Sequence, residues 1–74
     1  MSALEYSTSV WARGGLLAMR NAPGVALGDR VAIRDHLGKL RSGQVIRTSD
    51  ELVLIQVLEG TGNLDLERTW VRFL

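Results

Sequence analysis

The chain has 74 residues, with nine Lys and Arg against eight Asp and Glu, one histidine and no cysteine. This length provides for one small domain, and the inventory excludes disulfides and a Cys/His metal site. The near-balanced charge argues against a dedicated nucleic-acid binder, and no apolar run approaches the roughly 20 residues of a membrane span.

Eight glycines and one proline separate short apolar runs, a pattern typical of a compact β fold. We expect residues 1–5 to form a flexible N-terminus and residues 6–74 to form a single domain. The opening residues lack the basic and long apolar regions of a signal peptide, so a cytoplasmic location is expected.

The first predicted strand is residues 6–12, which contain Tyr, Thr, Val and Trp. Gly14-Gly15 predicts a bulge or a sharp bend, and residues 16–20 continue as strand. A helix over residues 10–20 is the alternative, but two adjacent glycines cost it about 2 kcal/mol relative to alanine.

The middle of the chain favours a loop followed by a hairpin. Residues 21–28 contain Pro23-Gly24, a turn signal. Residues 30–34 alternate apolar and polar as a half-buried strand does, and residues 35–38 suit a hairpin turn.

The second half predicts three further segments of strand. Residues 39–48 form a longer strand, and Gly43 in its middle marks a kink or a close backbone approach. Residues 52–58 are nearly all apolar and are the best candidate for a central strand. A Gly-, Asn- and Asp-rich loop over residues 59–67 leads to the last strand, residues 68–74.

Six short strands with no convincing helix predict an all-β domain, a small closed six-stranded antiparallel β-barrel, because closure removes exposed edges. The alternation selects eight apolar residues as its core: Val31, Ile33, Val45, Val53, Ile55, Val57, Val71 and Phe73.

Catalytic motifs are missing from the sequence. It has neither a GxxxxGK[ST] loop nor a GxSxG elbow. His36 is best explained as an exposed turn histidine, and Asp65 and Glu67 as turn-forming and solvated charges. We therefore predict no enzyme activity and no catalytic, cofactor-binding or metal-binding residue in this chain.

Arginines on the predicted strands, together with Tyr6, Trp11 and Trp70, leave an oligonucleotide- or ligand-binding barrel as an alternative function. Acidic residues are interleaved with these arginines, which favours outward strand positions and ion pairs instead. We accordingly expect no nucleic-acid partner.

Four residues are candidates for a protein interface. Trp70 and Arg72 fall on the face opposite Val71, and Trp with Arg on an outer face is common at protein contacts; a satellite core is the other interpretation of Trp70. Leu52 and Leu54 lie on the second face of the central strand and offer an apolar stripe to a neighbour.

Three segments in the second half resemble the N-terminal region of the B subunit of vacuolar/archaeal-type (V/A-type) rotary ATPases. They are RSGQVI at 41–46, LIQVLEGT at 54–61 and GNLD at 62–65. The family pattern runs R-x-G-Q-V, a short turn, V-x-Q-V-[FL]-E-G-T and a Gly-[IL]-Asp loop. The first third is similar more loosely: Gly14-Gly15-Leu16-Leu17 stands where the family has a Gly-Pro-Leu stretch, so Gly15 replaces the usual proline.

The resemblance implies the β-barrel domain of a non-catalytic subunit. In the family, such barrels stand side by side in a crown that holds alternating A and B subunits together. The implied partners are the catalytic A subunits and the peripheral stalk, with no direct membrane contact. The same resemblance implies no cofactor in this domain, and an isolated domain is expected to self-associate because its lateral partners are absent.

Overall fold

The computed structural model describes residues 5–74, which form one antiparallel sheet. The order of the strands across the sheet is β1-β7-β4-β5-β6-β3-β2. In chain order the elements are β1 (Glu5–Tyr6), β2 (Ser9–Arg13), β3 (Leu16–Arg20), β4 (Arg30–Arg34), β5 (Leu40–Thr48), β6 (Leu52–Val57), the 3₁₀ turn η1 (Leu66–Arg68) and β7 (Trp70–Phe73).

The all-β antiparallel fold is confirmed, but the closed six-stranded barrel is wrong. Seven strands are present over residues 5–74, in an open curled sheet. The predicted first strand divides near Ser7–Thr8, because β1 pairs with β7 at one edge of the sheet whereas β2 pairs with β3 at the other. Within residues 5–74, these two edge strands do not pair with each other.

The bend predicted at Gly14-Gly15 is a two-residue hairpin turn between β2 and β3. Gly14 has φ 55° and Gly15 has φ 83°, so both central residues carry the positive φ of a type I′ turn, which glycine adopts without steric cost. The bulge lies elsewhere, between Ser9 and Trp11 in β2.

The core lies inside the curl of the sheet. Seven of the eight predicted core residues are buried, whereas Phe73 is half-buried and packs on the core beside Tyr6, with ring centroids 5.9 Å apart. Leu17 and Met19 of β3 are fully buried core residues that the sequence reasoning did not select. Residues 1–4, which hold most of the predicted flexible N-terminus, lie outside the described residues, and Glu5 pairs with Arg72.

Gly43 lies at a crowded point of the interior. A Cβ at this position would lie 2.7 Å from Ile55 Cγ2 and 2.9 Å from Val31 Cγ2. Both distances are shorter than a carbon–carbon contact permits, so only glycine lets β4, β5 and β6 wrap this closely. Of the two alternatives predicted for Gly43, a kink or a close approach, the structure has the close approach.

Candidate contact surfaces and their support

The four interface candidates fall into two separate patches on the outside of the sheet. Leu52 and Leu54 lie on β6, beside β3 and β5, whereas Trp70 and Arg72 lie on β7, beside β4 and β1. The structure therefore brings the candidates together in pairs and not as one site.

The β3–β6 register builds the first patch. Ala18 pairs with both Leu54 on β6 and Trp11 on β2, so these three side chains share the outer face. Together with Leu52 and Arg47 they line a cavity of about 200 Å³, which we call the Trp11 groove. Trp11 is 41% exposed and Leu52 is 36% exposed, so much of the apolar surface of the groove faces outward.

A stacked arginine organises the second patch, which we call the Trp70 patch: Glu5, Arg34, Trp70 and Arg72. The guanidinium carbon of Arg34 lies 4.4 Å from the centroid of the Trp70 ring, in a cation–π contact. The Nη2 atom of Arg34 also donates a hydrogen bond to Glu5 Oε1 at 2.9 Å. This hydrogen bond lowers the pKa of Glu5 below its usual value. Trp70 is half-buried and Arg34 is fixed from two sides, so the patch has a defined shape.

The RSGQV and EGT segments have structural roles that the sequence reasoning did not assign. Arg41 is buried; its Nη2 lies 3.3 Å from Asp35 Oδ2, and its Nη1 donates to the carbonyl oxygen of Gly60 at 2.9 Å. The Asp35 carboxylate also accepts hydrogen bonds from the backbone N–H groups of Leu37 and Lys39. Burial alone would raise the pKa of Asp35, but these backbone hydrogen bonds and Arg41 together lower it.

Two further hydrogen bonds fix the loop that follows β6. Glu59 Oε1 accepts from the backbone N–H of Ser42 at 2.8 Å, and Thr61 Oγ1 accepts from the backbone N–H of Gly15 at 3.2 Å. The EGT segment is thereby tied to β5 on one side and to the β2–β3 turn on the other.

The residues considered for catalysis lie on turns, as expected of turn-forming and solvated side chains. His36 is exposed in the β4–β5 turn. Asp65 is the N-cap of η1 and pairs with Arg68 at 2.9 Å, a hydrogen bond that lowers the pKa of Asp65. Glu67 is exposed on the same turn. Among residues 5–74, no three His, Cys, Asp or Glu side chains lie close enough together to hold a metal ion.

Three of the strand and loop arginines, Arg34, Arg41 and Arg68, have carboxylate partners. This pairing is the one expected from the interleaved acidic residues.

No helix within residues 5–74 is long and apolar enough to cross a membrane.

These observations define a class: a small antiparallel β domain, curled like a barrel, with a tryptophan-containing outer patch on each of two groups of strands. Residues 12–74 match the family model described as "ATP synthase alpha/beta family, beta-barrel domain", and the chain belongs to this family.

Individual relatives agree with the family model. The chain is 64% identical over all 74 residues to the "V-type ATP synthase beta chain" of Nitrosococcus oceani, covering 15% of that protein. It is 45% identical over 67 residues, 90% of the chain, to the protein of the same description from Thermus thermophilus, covering 14% of it. It is 42% identical over 69 residues, 93% of the chain, to the B subunit of the A-type ATP synthase of Methanothrix thermoacetophila, covering 15% of it. The chain thus spans about one seventh of the length of these relatives.

Proposed function

We propose that this chain is the structural and assembly domain of a V/A-type ATPase B subunit. In that role it forms part of a crown that holds alternating subunits together during ATP-driven or ATP-synthesising rotary transport of ions such as protons. Its partners are the catalytic A subunits and the peripheral stalk, and it works in the cytoplasm as part of a membrane-associated complex. The domain itself contributes no catalytic residue and binds no cofactor.

The observation that carries this proposal is the pair of outer patches. A subunit in a closed ring contacts a different neighbour on each side, so it needs two contact surfaces. The Trp11 groove and the Trp70 patch lie on different groups of strands, and each presents a tryptophan with arginine nearby. Tryptophan and arginine are the residues that most often dominate binding energy at interfaces.

The interior suits a rigid anchor. The tight approach at Gly43 and the hydrogen bonds of Arg41, Glu59 and Thr61 fix the strands and the loop after β6 relative to one another. A contact surface on a rigid support loses little conformational freedom on binding, which favours affinity.

A chimera tests the proposal. The segment of the Nitrosococcus oceani beta chain that matches this chain is replaced by the 74 residues, and the product is mixed with the A subunits of the same complex. We expect hexamers of alternating subunits by native mass spectrometry. The Leu54→Asn variant, which places an amide in the Trp11 groove, should weaken assembly about tenfold, because it loses apolar contact and buries an unpaired polar group.

Leu37→Asn is the matched control, since Leu37 is 79% exposed at the tip of the β4–β5 hairpin. It should assemble like the unmodified chimera. Equal assembly of both variants, with thermal unfolding showing both to be folded, would contradict a contact role for the groove.

The isolated chain offers a second test. Without neighbours, its two patches should cause concentration-dependent association, which light scattering detects. A strict monomer at high concentration argues against both patches. The oligonucleotide-binding alternative instead predicts single-strand binding that weakens as salt rises.

A further inference from the structure

The outer face of the sheet carries most of the arginines of the chain, whereas the acidic residues lie mainly in turns and loops. Glu5, which pairs with Arg34, is the single carboxylate at an outward strand position within residues 5–74. The balanced net charge therefore hides a separation of charge between the sheet face and the turns. Six arginines stand at outward strand positions: Arg13, Arg20, Arg30, Arg34, Arg47 and Arg72.

Three hollows follow one another along β3, with the Trp11 groove in the middle, and we call them together the β3 furrow. A hollow of about 500 Å³ adjoins the groove at the β2–β3 turn and shares Trp11, and one of about 540 Å³ adjoins it at the β5–β6 turn and shares Leu52. Leu16, Ala18 and Arg20 line the three hollows in turn. From Leu16 to Arg20 the strand rises about 14 Å, the length of about nine residues of α-helix.

Arginines border the furrow on both of its long sides. The middle hollow is lined almost entirely by apolar atoms, with Arg47 of β5 at its side. Arg13 of β2 lies on the other side, three strand spacings away in the order β5-β6-β3-β2, or about 14 Å. Neither arginine has an ion-pair partner within residues 5–74. An α-helix with its side chains is about 10–12 Å across, so its width fits between them.

The groups that face the furrow are side chains, because β3 and β6 are each paired on both edges. An extended segment lying in the furrow would leave its own N–H and C=O groups without partners. A helix pairs these groups internally. An apolar furrow of this kind therefore favours an amphipathic helix as its occupant.

The β5–β6 turn excludes a uniformly negative occupant. Asp50 and Glu51 lie in this turn, and Glu51 lines the same hollow as Arg20. A phosphate backbone or an anionic membrane surface brings negative charge along its whole length, so it would meet Glu51 as well as the arginines. A helix instead places its carboxylates only where the arginines stand.

We propose that the β3 furrow docks an amphipathic helix of a neighbouring subunit, with an apolar stripe bordered by acidic residues that face Arg13 and Arg47. The inference rests on the proposed function for the presence of that neighbour, and it names the kind of segment that the neighbour contributes. The planar guanidinium of arginine pairs with a carboxylate through two hydrogen bonds. Trp11, which is 41% exposed, becomes a covered aromatic anchor in the complex.

Synthetic peptides test the furrow on the full 74-residue chain. The acidic peptide has about 20 residues, enough to form a helix by itself, and carries a leucine stripe bordered by glutamates. In the basic peptide, lysines replace these glutamates. Calorimetric titration should give the acidic peptide a dissociation constant about tenfold lower than that of the basic peptide. Equal dissociation constants for the two peptides overturn the proposal.

The two tryptophans locate the bound peptide. In the nuclear magnetic resonance spectrum, the indole N–H signal of Trp11 should shift as the acidic peptide binds, whereas that of Trp70 stays in place. A shift of the Trp70 signal without one of Trp11 places the peptide on the other patch and overturns the proposal.

Arg47→Glu and Arg30→Glu form a matched pair of variants. Both reverse the charge of an exposed, outward arginine, and only Arg47 lines the furrow. Arg47→Glu should weaken binding of the acidic peptide about tenfold and strengthen binding of the basic one, whereas Arg30→Glu should change either affinity by less than about twofold because of screening. Equal effects of the two variants contradict pairing in the furrow. If Arg47→Glu fails to fold by circular dichroism, Arg13→Glu replaces it with the same expectation.

Failure of this inference is distinguishable from failure of the proposed function. If neither peptide binds but the chimera forms hexamers that Leu54→Asn weakens, the acidic helix is wrong and the assembly role stands. If the acidic peptide binds but the chimera forms no hexamers, the assembly role fails and the furrow keeps its preference for an acidic helix. An oligothymidine of about 20 nucleotides, or vesicles of phosphatidylserine, that shift the Trp11 signal more than the acidic peptide does would overturn the proposal in favour of phosphate recognition.

Discussion

Arg41 of β5 holds the loop that follows β6 by donating a 2.9 Å hydrogen bond to the carbonyl oxygen of Gly60. The same side chain lies 3.3 Å from the buried carboxylate of Asp35. One arginine thus fixes the β4–β5 turn against the loop that follows β6, and it is the first residue of the RSGQV segment that resembles the family pattern.

Replacing this arginine should destabilise the domain strongly. Arg41→Met keeps much of the side-chain length but leaves the buried carboxylate of Asp35 without its cation and the Gly60 carbonyl without its donor. We expect the largest fall in unfolding temperature among single arginine-to-methionine variants. Arg68→Met is the control, because Arg68 is exposed and pairs with Asp65 at the surface. Similar unfolding temperatures for the two variants in calorimetry would show that Arg41 is not a structural tie.

Acid should destabilise the domain through the same carboxylate. Although burial raises the pKa of Asp35, the backbone hydrogen bonds from Lys39 and Leu37 and the contact with Arg41 bring it below its ordinary value of 3.8. A carboxyl whose pKa is lowered by folding stabilises the native state fully above its unfolded pKa, and this contribution is lost as the pH falls through the folded pKa. Urea unfolding should therefore show stability falling from about pH 4 downward.

The Asp35→Asn variant separates this contribution from the others. It should be less stable than the unmodified chain at neutral pH and should lose less stability on acidification. Some pH dependence will persist, because hydrogen bonds to Arg34 and Arg68 also lower the pKa of Glu5 and of Asp65, respectively. An acid-induced loss as large in Asp35→Asn as in the unmodified chain contradicts the assignment.

A single methyl group at Gly43 should disturb the interior. The added Cβ would lie 2.7 Å from Ile55 Cγ2 and 3.1 Å from the carbonyl oxygen of Gln56, so Gly43→Ala should lower the free energy of unfolding by about 1–3 kcal/mol. Gly62→Ala is the matched control, since nothing lies within 4 Å of a Cβ there. Chemical denaturation measures both variants, and equal stabilities would mean that the strands at Gly43 can separate at little cost.

The alternation of side chains made much of the fold predictable. The strand over residues 30–34 has the predicted bounds, and its inward residues Val31 and Ile33 are buried. The pattern carried less information for β3, where Leu17, Ala18 and Met19 are all buried. Ala18 points outward there and is buried by the neighbouring Trp11 and Leu54, and the contact with Leu54 depends on β6, which is distant in sequence.

That the sheet stays open was not predictable in the same way. The residues of 6–12 have strand propensity throughout, but the chain leaves β7 and joins β3 between Tyr6 and Ser9. That change of partner depends on pairing with residues more than 60 positions away, which local pattern does not encode. Leu52, Leu54, Trp70 and Arg72 were chosen as interface candidates from their outward positions, and that role stays a prediction. Arg41 was missed as a structural tie because its partners come from two separate turns.

Trp70 offers the sharpest test of the second patch. Trp70→Leu removes the cation–π contact with Arg34, so it should cost the isolated chain about 0.5–1 kcal/mol of stability. Ile33→Val, inside the sheet on the strand that carries Arg34, should cost a similar amount of about 0.5–1.5 kcal/mol without altering the outer surface. In the chimeric B subunit, Trp70→Leu should weaken hexamer assembly about tenfold or more, because an aromatic anchor is lost from the interface. If titration by native mass spectrometry finds Ile33→Val equally impaired, the effect of Trp70 is one of stability and the residue belongs to a satellite core, not to a contact between subunits.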